Sequence, residues 1–314
     1  PVSAYYASVN YHKEILYVDL GNDEARQQIY DLVARADVVI ANFKKGDDTR
    51  FGVDYERLRE IRPDLVYASI SGFGGGSDRV AFDVVLQAET GFMSMNGTHD
   101  SGPVKMPVAL IDVLAAHQLK EAILCALIHR MRTGEGSRVS VSLFAAGVAS
   151  LVNQASNWLM CGHVPGRIGS LHPNIAPYGD TFLCRDGRDV VLAVGTDRQF
   201  RSLVTVLGDP GLADDKRFAT NPARVRNRDA LTEALAALFA AHDAEPLAET
   251  LHGRAVPAGL IRTVDEVFAV PEAAATVLEE TIEGVSTRRA RSVAFEAAFI
   301  DAGGGQQSNP HDGA

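Results

Sequence analysis

At 314 residues, 46% hydrophobic and 22% charged, the chain has an ordinary globular composition and enough length for a large domain plus a smaller one. A formal net charge of -10 argues against non-specific nucleic-acid binding, which needs clustered Lys and Arg, yet leaves room for a small anionic ligand held by a few local cations. The longest apolar stretches, such as FAAGVASLV from Phe144, fall short of the roughly 20 residues that span a bilayer, so no membrane association is expected.

No signal-peptide pattern opens the sequence, which makes the cytoplasm the expected compartment. Cys125, Cys161 and Cys184 are odd in number and far apart, which suits reduced core thiols rather than a disulfide framework or zinc ligands. No metal site is expected.

From residue 14 the pattern alternates strand and helix. The apolar run EILYVDL reads as a strand, and NDEARQQIYDLVARA as a helix with Ile29, Leu32, Val33 and Ala36 on one face. DVVIANF is a second strand, DYERLREIRP a short helix capped by Asp54, and LVYASISGFG a third strand. Such alternation implies a parallel sheet covered by helices on both faces, a Rossmann-like α/β arrangement. Ligands gather at the carboxyl ends of such strands, here the segments after Val18, around Asn42 and Phe43, and at Gly72 to Gly76. The glycines of GFGGGS lack the spacing of a dinucleotide fingerprint.

Residues 112–132 read as the clearest helix, with Ala116, Leu119, Ile123, Leu127 and Met131 as its apolar stripe, Arg130 and Arg132 in the last turn and Gly134 as the stop. RVSVSL alternates as a strand, and FAAGVASLVNQASNWLM reads as a buried helix. TFLCRDGRDVVLAV has a hairpin signal at Asp186 and Gly187, and the helical segments FRSLVTVLG, RDALTEALAALFAAH and AEPLAETLHG complete a small α+β unit. The expected domains are 1–179, 180–275, a linker at 276–299 and a disordered tail at 300–314, where DAGGGQQSNPHDGA has too few apolar groups to pack.

With no HExxH, CxxC, P-loop or GxSxG pattern in the sequence, the candidate for chemistry is a carboxylate. Asp112 follows the apolar PVALI and begins a helix, whose dipole favours an anion by roughly 0.3–1 kcal/mol. Aspartate is also among the best N-cap residues. By spacing alone, nucleophile and cap both remain open.

The stretches GFGGGSDRVAFDVVLQAETGFMSMNG, GPVKMPVALIDVLAAHQLKEAILCAL and HRMRTGEGSRVSVSLFAA, continued by HPNIAPYGDTF, RDGRDVVLAVG and KRFATNPARVRNRDAL, resemble the class III CoA-transferases of the CaiB/BaiF type. The resemblance covers about residues 5–275. It implies transfer of CoA between an acyl-CoA and a free carboxylic acid, through an acyl-aspartyl anhydride and an aspartyl-CoA thioester on Asp112. CoA is then a substrate rather than a prosthetic group. The family's CoA contacts match Val18, Asn42, Phe43, Arg50 and Phe51, with Lys44 close enough to help, and Gly72, Phe73, Phe82 and Asp83 fall to the substrate pocket. Val80 and Ala81 stand where some relatives carry a CoA-contacting lysine, with Arg79 nearby.

The resemblance also implies an interlocked homodimer. Relatives begin with a further strand and helix and end with a return segment that this sequence lacks, so the chain is expected to be incomplete at both ends. Within the family the racemases carry a histidine where Phe82 stands, so the α-methylacyl-CoA racemase reading is the alternative, together with a truncated, non-catalytic CoA binder. The HPNIAPYG and ATNPARVRNRDAL segments look closest to members that handle succinyl-CoA and other dicarboxylates.

Overall fold

Parallel strands need long crossovers, and this sequence supplies them as helices between its apolar runs. The computed structural model describes residues 2–296, and its contacts gather into a larger unit, Tyr17–Leu260, and a smaller one built from the segments on either side. Helix α1 (Ala4–Val9) opens the smaller unit, capped by Ser3, whose hydroxyl oxygen accepts the Tyr6 N–H at 3.1 Å. The run at 14–20, expected as the first strand, forms none, and Ile15, Leu16 and Tyr17 stay exposed. Among the described residues it joins no β-ladder, and without one the alternation of apolar groups does not make a strand.

In the larger unit, α2 (Asp23–Val33) starts at Asn22, whose side chain accepts the Glu24 and Ala25 N–H groups. Of its expected apolar face Val33 is buried and Ile29 packs beside it, whereas Leu32 is exposed. Next come β1 (Val38–Ala41), α3 (Asp47–Phe51), α4 (Tyr55–Ile61) and β2 (Val66–Ser71), with Asp54 capping α4. After α5 (Asp83–Glu89), α6 (Phe92–Met95) and α7 (Leu110–Thr133) the chain reaches β3 (Ser137–Ser142). The three strands pair in parallel in the order β1-β2-β3. Val66, Tyr67 and Ala68 of the central strand are buried, as a strand covered on both faces requires.

Helix α7 packs against β2 and β3 and stops at Gly134, whose φ of 78° suits a residue without Cβ. Its apolar stripe is rotated from the expected one: Ile111, Ala115, Leu119 and Ala126 are buried, while Met131 is 84% exposed. The small alanines on the buried side let the helix lie close to the strands. The stretch expected as one buried helix is two, α8 (Leu143–Ala149) and α9 (Asn153–Cys161). Val152, at φ 48°, cannot continue a right-handed helix. On α9 Trp158, Leu159 and Met160 are exposed. Of the cysteines only Cys184 is buried; Cys125 and Cys161 sit on exposed helical positions, so core packing does not account for them.

The expected hairpin forms between β4 (Tyr178–Leu183) and β5 (Asp189–Ala193), and β6 (Ala258–Leu260) pairs with β5 in the same antiparallel sheet. Helices α10 (Asp197–Val206), α11 (Asn221–Arg226), α12 (Arg228–Phe239) and α13 (Ala244–Gly253) follow β5 in sequence. A core of Phe182, Phe200, Phe218, Phe239 and their aliphatic neighbours fills this region, with the Phe182 and Phe239 rings stacked at 4.6 Å.

The smaller unit is completed by α14 (Val264–Ala269), α15 (Pro271–Ala274) and the antiparallel pair β7 (Val277–Ile282) and β8 (Val285–Ala290). Within it the Glu280 carboxylate accepts the His12 N–H at 2.9 Å, and Arg289 donates to the Ser8 carbonyl at 3.0 Å. The tail 300–314, expected to be disordered, lies outside the described residues. Among the described residues no helix is long and apolar enough to cross a membrane.

Candidate active site at the strand ends

The register of β1, β2 and β3 sets their carboxyl ends side by side, with Ala41 beside Ser69 and Ser71 beside Ser142. Asn42 and Phe43 leave the end of β1, Gly72 and Phe73 the end of β2, and Phe144 follows β3. Phe43 leans on Phe51 at 6.4 Å between ring centres, and the Arg50 guanidinium lies 4.5 Å from the Phe51 ring while pairing with Asp47 at 3.0 Å. Phe43, Arg50 and Phe51 therefore form one cluster.

Lys44 is exposed, and among the described residues it has no ion-pair partner. Its neighbour Lys45 reaches the loop after β2, 3.4 Å from the Gly76 carbonyl and 3.9 Å from Asp78. Val18 lies half-buried on irregular backbone, and no strand carries it to the rim.

Gly72 is a close-approach position: a Cβ there would stand 2.2 Å from the Ala81 Cβ. Its carbonyl accepts the Phe144 N–H at 2.9 Å, and Phe73 packs on Phe144 at 5.9 Å. Arg79 covers the Phe73 ring at 3.9 Å and pairs with Glu89. Phe82, 67% exposed, occupies the N-cap position of α5 without a capping bond.

Asp112 is the third residue of α7, not its cap; Ala109 holds the cap position and bonds nothing with its side chain. The capping alternative left open by spacing therefore does not hold. Among the described residues the half-buried Asp112 carboxylate accepts no hydrogen bond. Burial, and after it the negative charge of Asp83, raises its carboxyl above the ordinary aspartate range. A desolvated, unbonded carboxylate at a helix N-terminus is a competent nucleophile.

Asp83 accepts the Ile111 N–H at 2.8 Å and the Gln87 amide at 2.6 Å. Gln87 is fully buried and takes the Met106 N–H at 2.8 Å. It also lines a cavity of about 250 Å³ with Phe92, Met95, Asn96, Met106 and Leu110. Sequence reasoning passed over Gln87. The one signal was a polar residue four positions after Asp83, following the apolar Val84, Val85 and Leu86, a spacing at which side chains meet. Among the described residues no three His, Cys, Asp or Glu side chains gather as metal ligands.

A family model described as CoA-transferase family III matches residues 1–314. The succinate–glutarate CoA-transferase of Agrobacterium fabrum is 39% identical over 284 residues, 90% of this chain and 70% of that protein. The succinyl-CoA:mesaconate CoA-transferase of Haloarcula hispanica is 37% identical over 85% of this chain and 68% of its own length. Among solved structures, a CaiB/BaiF family protein from Brucella suis superposes with a TM-score of 0.79 at 41% identity, covering 88% of this chain and 74% of that one. Rv3272 from Mycobacterium tuberculosis gives a TM-score of 0.78 at 28% identity, over 91% of this chain and 78% of that one.

Proposed function

The chain belongs to CoA-transferase family III, and from that premise we propose that it moves CoA between an acyl-CoA thioester and a free carboxylic acid, with Asp112 as the nucleophile. The observation that carries the reading is the Asp112 carboxylate itself, half-buried in the first turn of α7 and free of hydrogen bonds among the described residues. It attacks the thioester carbonyl, the carbon–sulfur bond breaks, and CoA leaves as thiolate from an acyl-aspartyl anhydride. The thiolate attacks the aspartyl carbonyl and releases the donor acid, leaving an aspartyl-CoA thioester. The acceptor carboxylate then attacks the aspartyl carbonyl of that thioester and expels the thiolate, giving a second anhydride. The thiolate attacks the acceptor's own carbonyl in it to form the new acyl-CoA and release the Asp112 carboxylate. Covalent catalysis of this kind divides one acyl exchange into easier steps. Loop amides of the Gly72–Gly76 segment are the proposed donors to the oxyanions.

Coenzyme A is proposed to lie on the rim, its phosphates met by Arg50 and Lys44, with Asn42, Phe43 and Phe51 as further contacts there and Val18 as one from the irregular segment before α2. The open Phe43–Arg50–Phe51 cluster supports this, because a guanidinium and aromatic faces suit phosphate and adenine. Gly72, Phe73 and Phe82 border the acyl group, residues 1–179 act as the CoA-binding domain and 180–275 as the small domain. Phe82 has no proton to exchange, which favours transfer over racemisation.

The names of the Agrobacterium and Haloarcula relatives support a dicarboxylate such as succinate as donor or acceptor. The proposed compartment is the cytoplasm, and the proposed assembly is a homodimer whose contacts include the exposed Trp158, Leu159 and Met160. A monomer by light scattering would count against the last point.

The test is mass spectrometry after incubation with a panel of acyl-CoA thioesters and hydroxylamine trapping, in the parent and Asp112→Ala. Adducts on Asp112 that vanish in the variant are expected. A folded, CoA-binding parent that forms none would refute the nucleophile reading, and a panel in which only monocarboxylates react would refute the substrate class.

A further inference from the structure

Helix α7 begins without a cap of its own, since Ala109 has no side-chain oxygen to offer. The free amides of a first helical turn then need water or an acceptor from elsewhere. Here the acceptor comes from α5: Asp83 Oδ1 takes the N–H of Ile111 at 2.8 Å, on the residue just before Asp112. Gln87 Nε2 holds the other Asp83 oxygen at 2.6 Å. Gln87 cannot turn freely, because it is fully buried and its Oε1 takes the Met106 N–H at 2.8 Å. A line of bonds thus runs from Met106 through Gln87 and Asp83 to the backbone that adjoins Asp112.

We propose that Asp83 is a positioning residue for CoA transfer, holding the first turn of α7 so that the Asp112 carboxylate meets the acyl carbon, with Gln87 as the fixed partner that aims it. The inference rests on the reading of Asp112 as nucleophile. It moves Asp83 from the wall of the substrate pocket to the support of the helix end.

The charge of Asp83 contributes as well as its bonds. The elements packed against α7 bring Asp83 and Glu89 from α5, Tyr67 from β2 and Arg138 from β3, and α8 brings none; α7 itself carries His117, Lys120 and Glu121 in its next turns. Glu89 is held by Arg79. Of all these, Asp83 is the group whose charge raises the Asp112 carboxyl, second to burial. A like charge nearby makes a carboxylate more basic, and a more basic carboxylate is a better nucleophile.

The experiment follows hydroxylamine-trapped acylation of the full chain by succinyl-CoA across pH, in the parent, Asp83→Asn, Asp83→Glu and Asp112→Ala. Acylation of the parent and not of Asp112→Ala is expected, and failure of that pair overturns the nucleophile reading and this inference together. Given an acylated parent, Asp83→Asn is expected to slow acylation on the order of tenfold through misplacement of the reacting group, with KM for succinyl-CoA unchanged. Its acid limb is expected to move to lower pH, because the neighbouring charge is gone. Asp83→Glu keeps the charge and is expected to return the limb to the parental position.

A slower Asp83→Asn whose limb stays put marks a merely structural cap, and an unchanged rate and limb mark no role; either result overturns the proposal while leaving the nucleophile reading intact. If Asp83→Asn fails to fold by circular dichroism, carboxylate carbon-13 titration of the unaltered chain decides. An Asp112 resonance that senses the ionisation of Asp83 supports the coupling, and one that titrates independently overturns it.

Discussion

Replacing Arg224 by methionine probes what fixes the segment that leads into β4. Arg224 is wholly buried; its guanidinium donates to the carbonyls of Ala176 at 2.7 Å and Phe218 at 2.9 Å and to Asp197 at 2.8 Å, and it lies 4.5 Å from the Phe200 ring. Methionine fills most of the same volume and keeps the contact with Phe200, so the cavity contribution is small. What disappears is the bonding. Two carbonyls lose a charged donor, at about 1–3 kcal/mol each where they stay dry. The Asp197 side chain is 55% exposed and rehydrates at little cost. Removing the desolvation of the guanidinium offsets part of the loss, which leaves a net destabilisation of about 2–4 kcal/mol. Urea unfolding followed by far-UV circular dichroism measures it, with the slope checked for constancy. A loss below about 1 kcal/mol would show that water reaches the two carbonyls, and would refute the claim that Arg224 anchors this segment.

Asp112→Asn is expected to abolish adduct formation and to raise the melting temperature at neutral pH. A carboxyl raised in the folded state gives stability that is fully present below its unfolded pKa and lost as pH rises through the folded one. The advantage of the asparagine variant should accordingly shrink toward acid pH in calorimetry; a constant difference would contradict the burial argument. Parental acylation should fall off on the acid side at a higher pH than an ordinary aspartate allows, which a pH–rate profile reads directly. Arg50→Ala is expected to weaken CoA binding about tenfold by calorimetry, with a shallower salt dependence, as loss of a phosphate contact requires; unchanged affinity would remove Arg50 from the rim. Gly72→Ala, whose added methyl meets Ala81 at 2.2 Å, should cost about 1–3 kcal/mol of stability; a neutral result in denaturant melts would mean that the loop moves aside.

The strands at 38–41 and 66–71 were legible as short apolar runs between helix-forming segments, which a covered parallel sheet buries, and the strand at 137–142 by its strict alternation. The ends of α2, α4 and α7 were legible for an equally local reason: Asn22, Asp54 and Gly134 act on amides and carbonyls within their own turn. Local rules gave out where a partner distant in sequence decides. Residues 14–20 have the apolar content of a strand, yet among the described residues they join no β-ladder. The break at Val152 depends on a backbone angle that no apolar pattern encodes.

Asp112 shows the same limit at the site itself. In sequence it had two claims, cap and nucleophile, and both rested on its place before a helical stripe. The structure separates them: α7 starts at Leu110, two residues before Asp112, so Asp112 is not its cap, and the uncapped first turn is served by Asp83, which accepts the Ile111 N–H from 28 positions away. An aspartate relieved of capping, half-buried and unbonded among the described residues, keeps its lone pairs for a substrate. The feature that makes the site chemically plausible is therefore a division of labour between two carboxylates at one helix end. Neither sequence position reveals it alone, because each looks like an ordinary aspartate at the start of a helix.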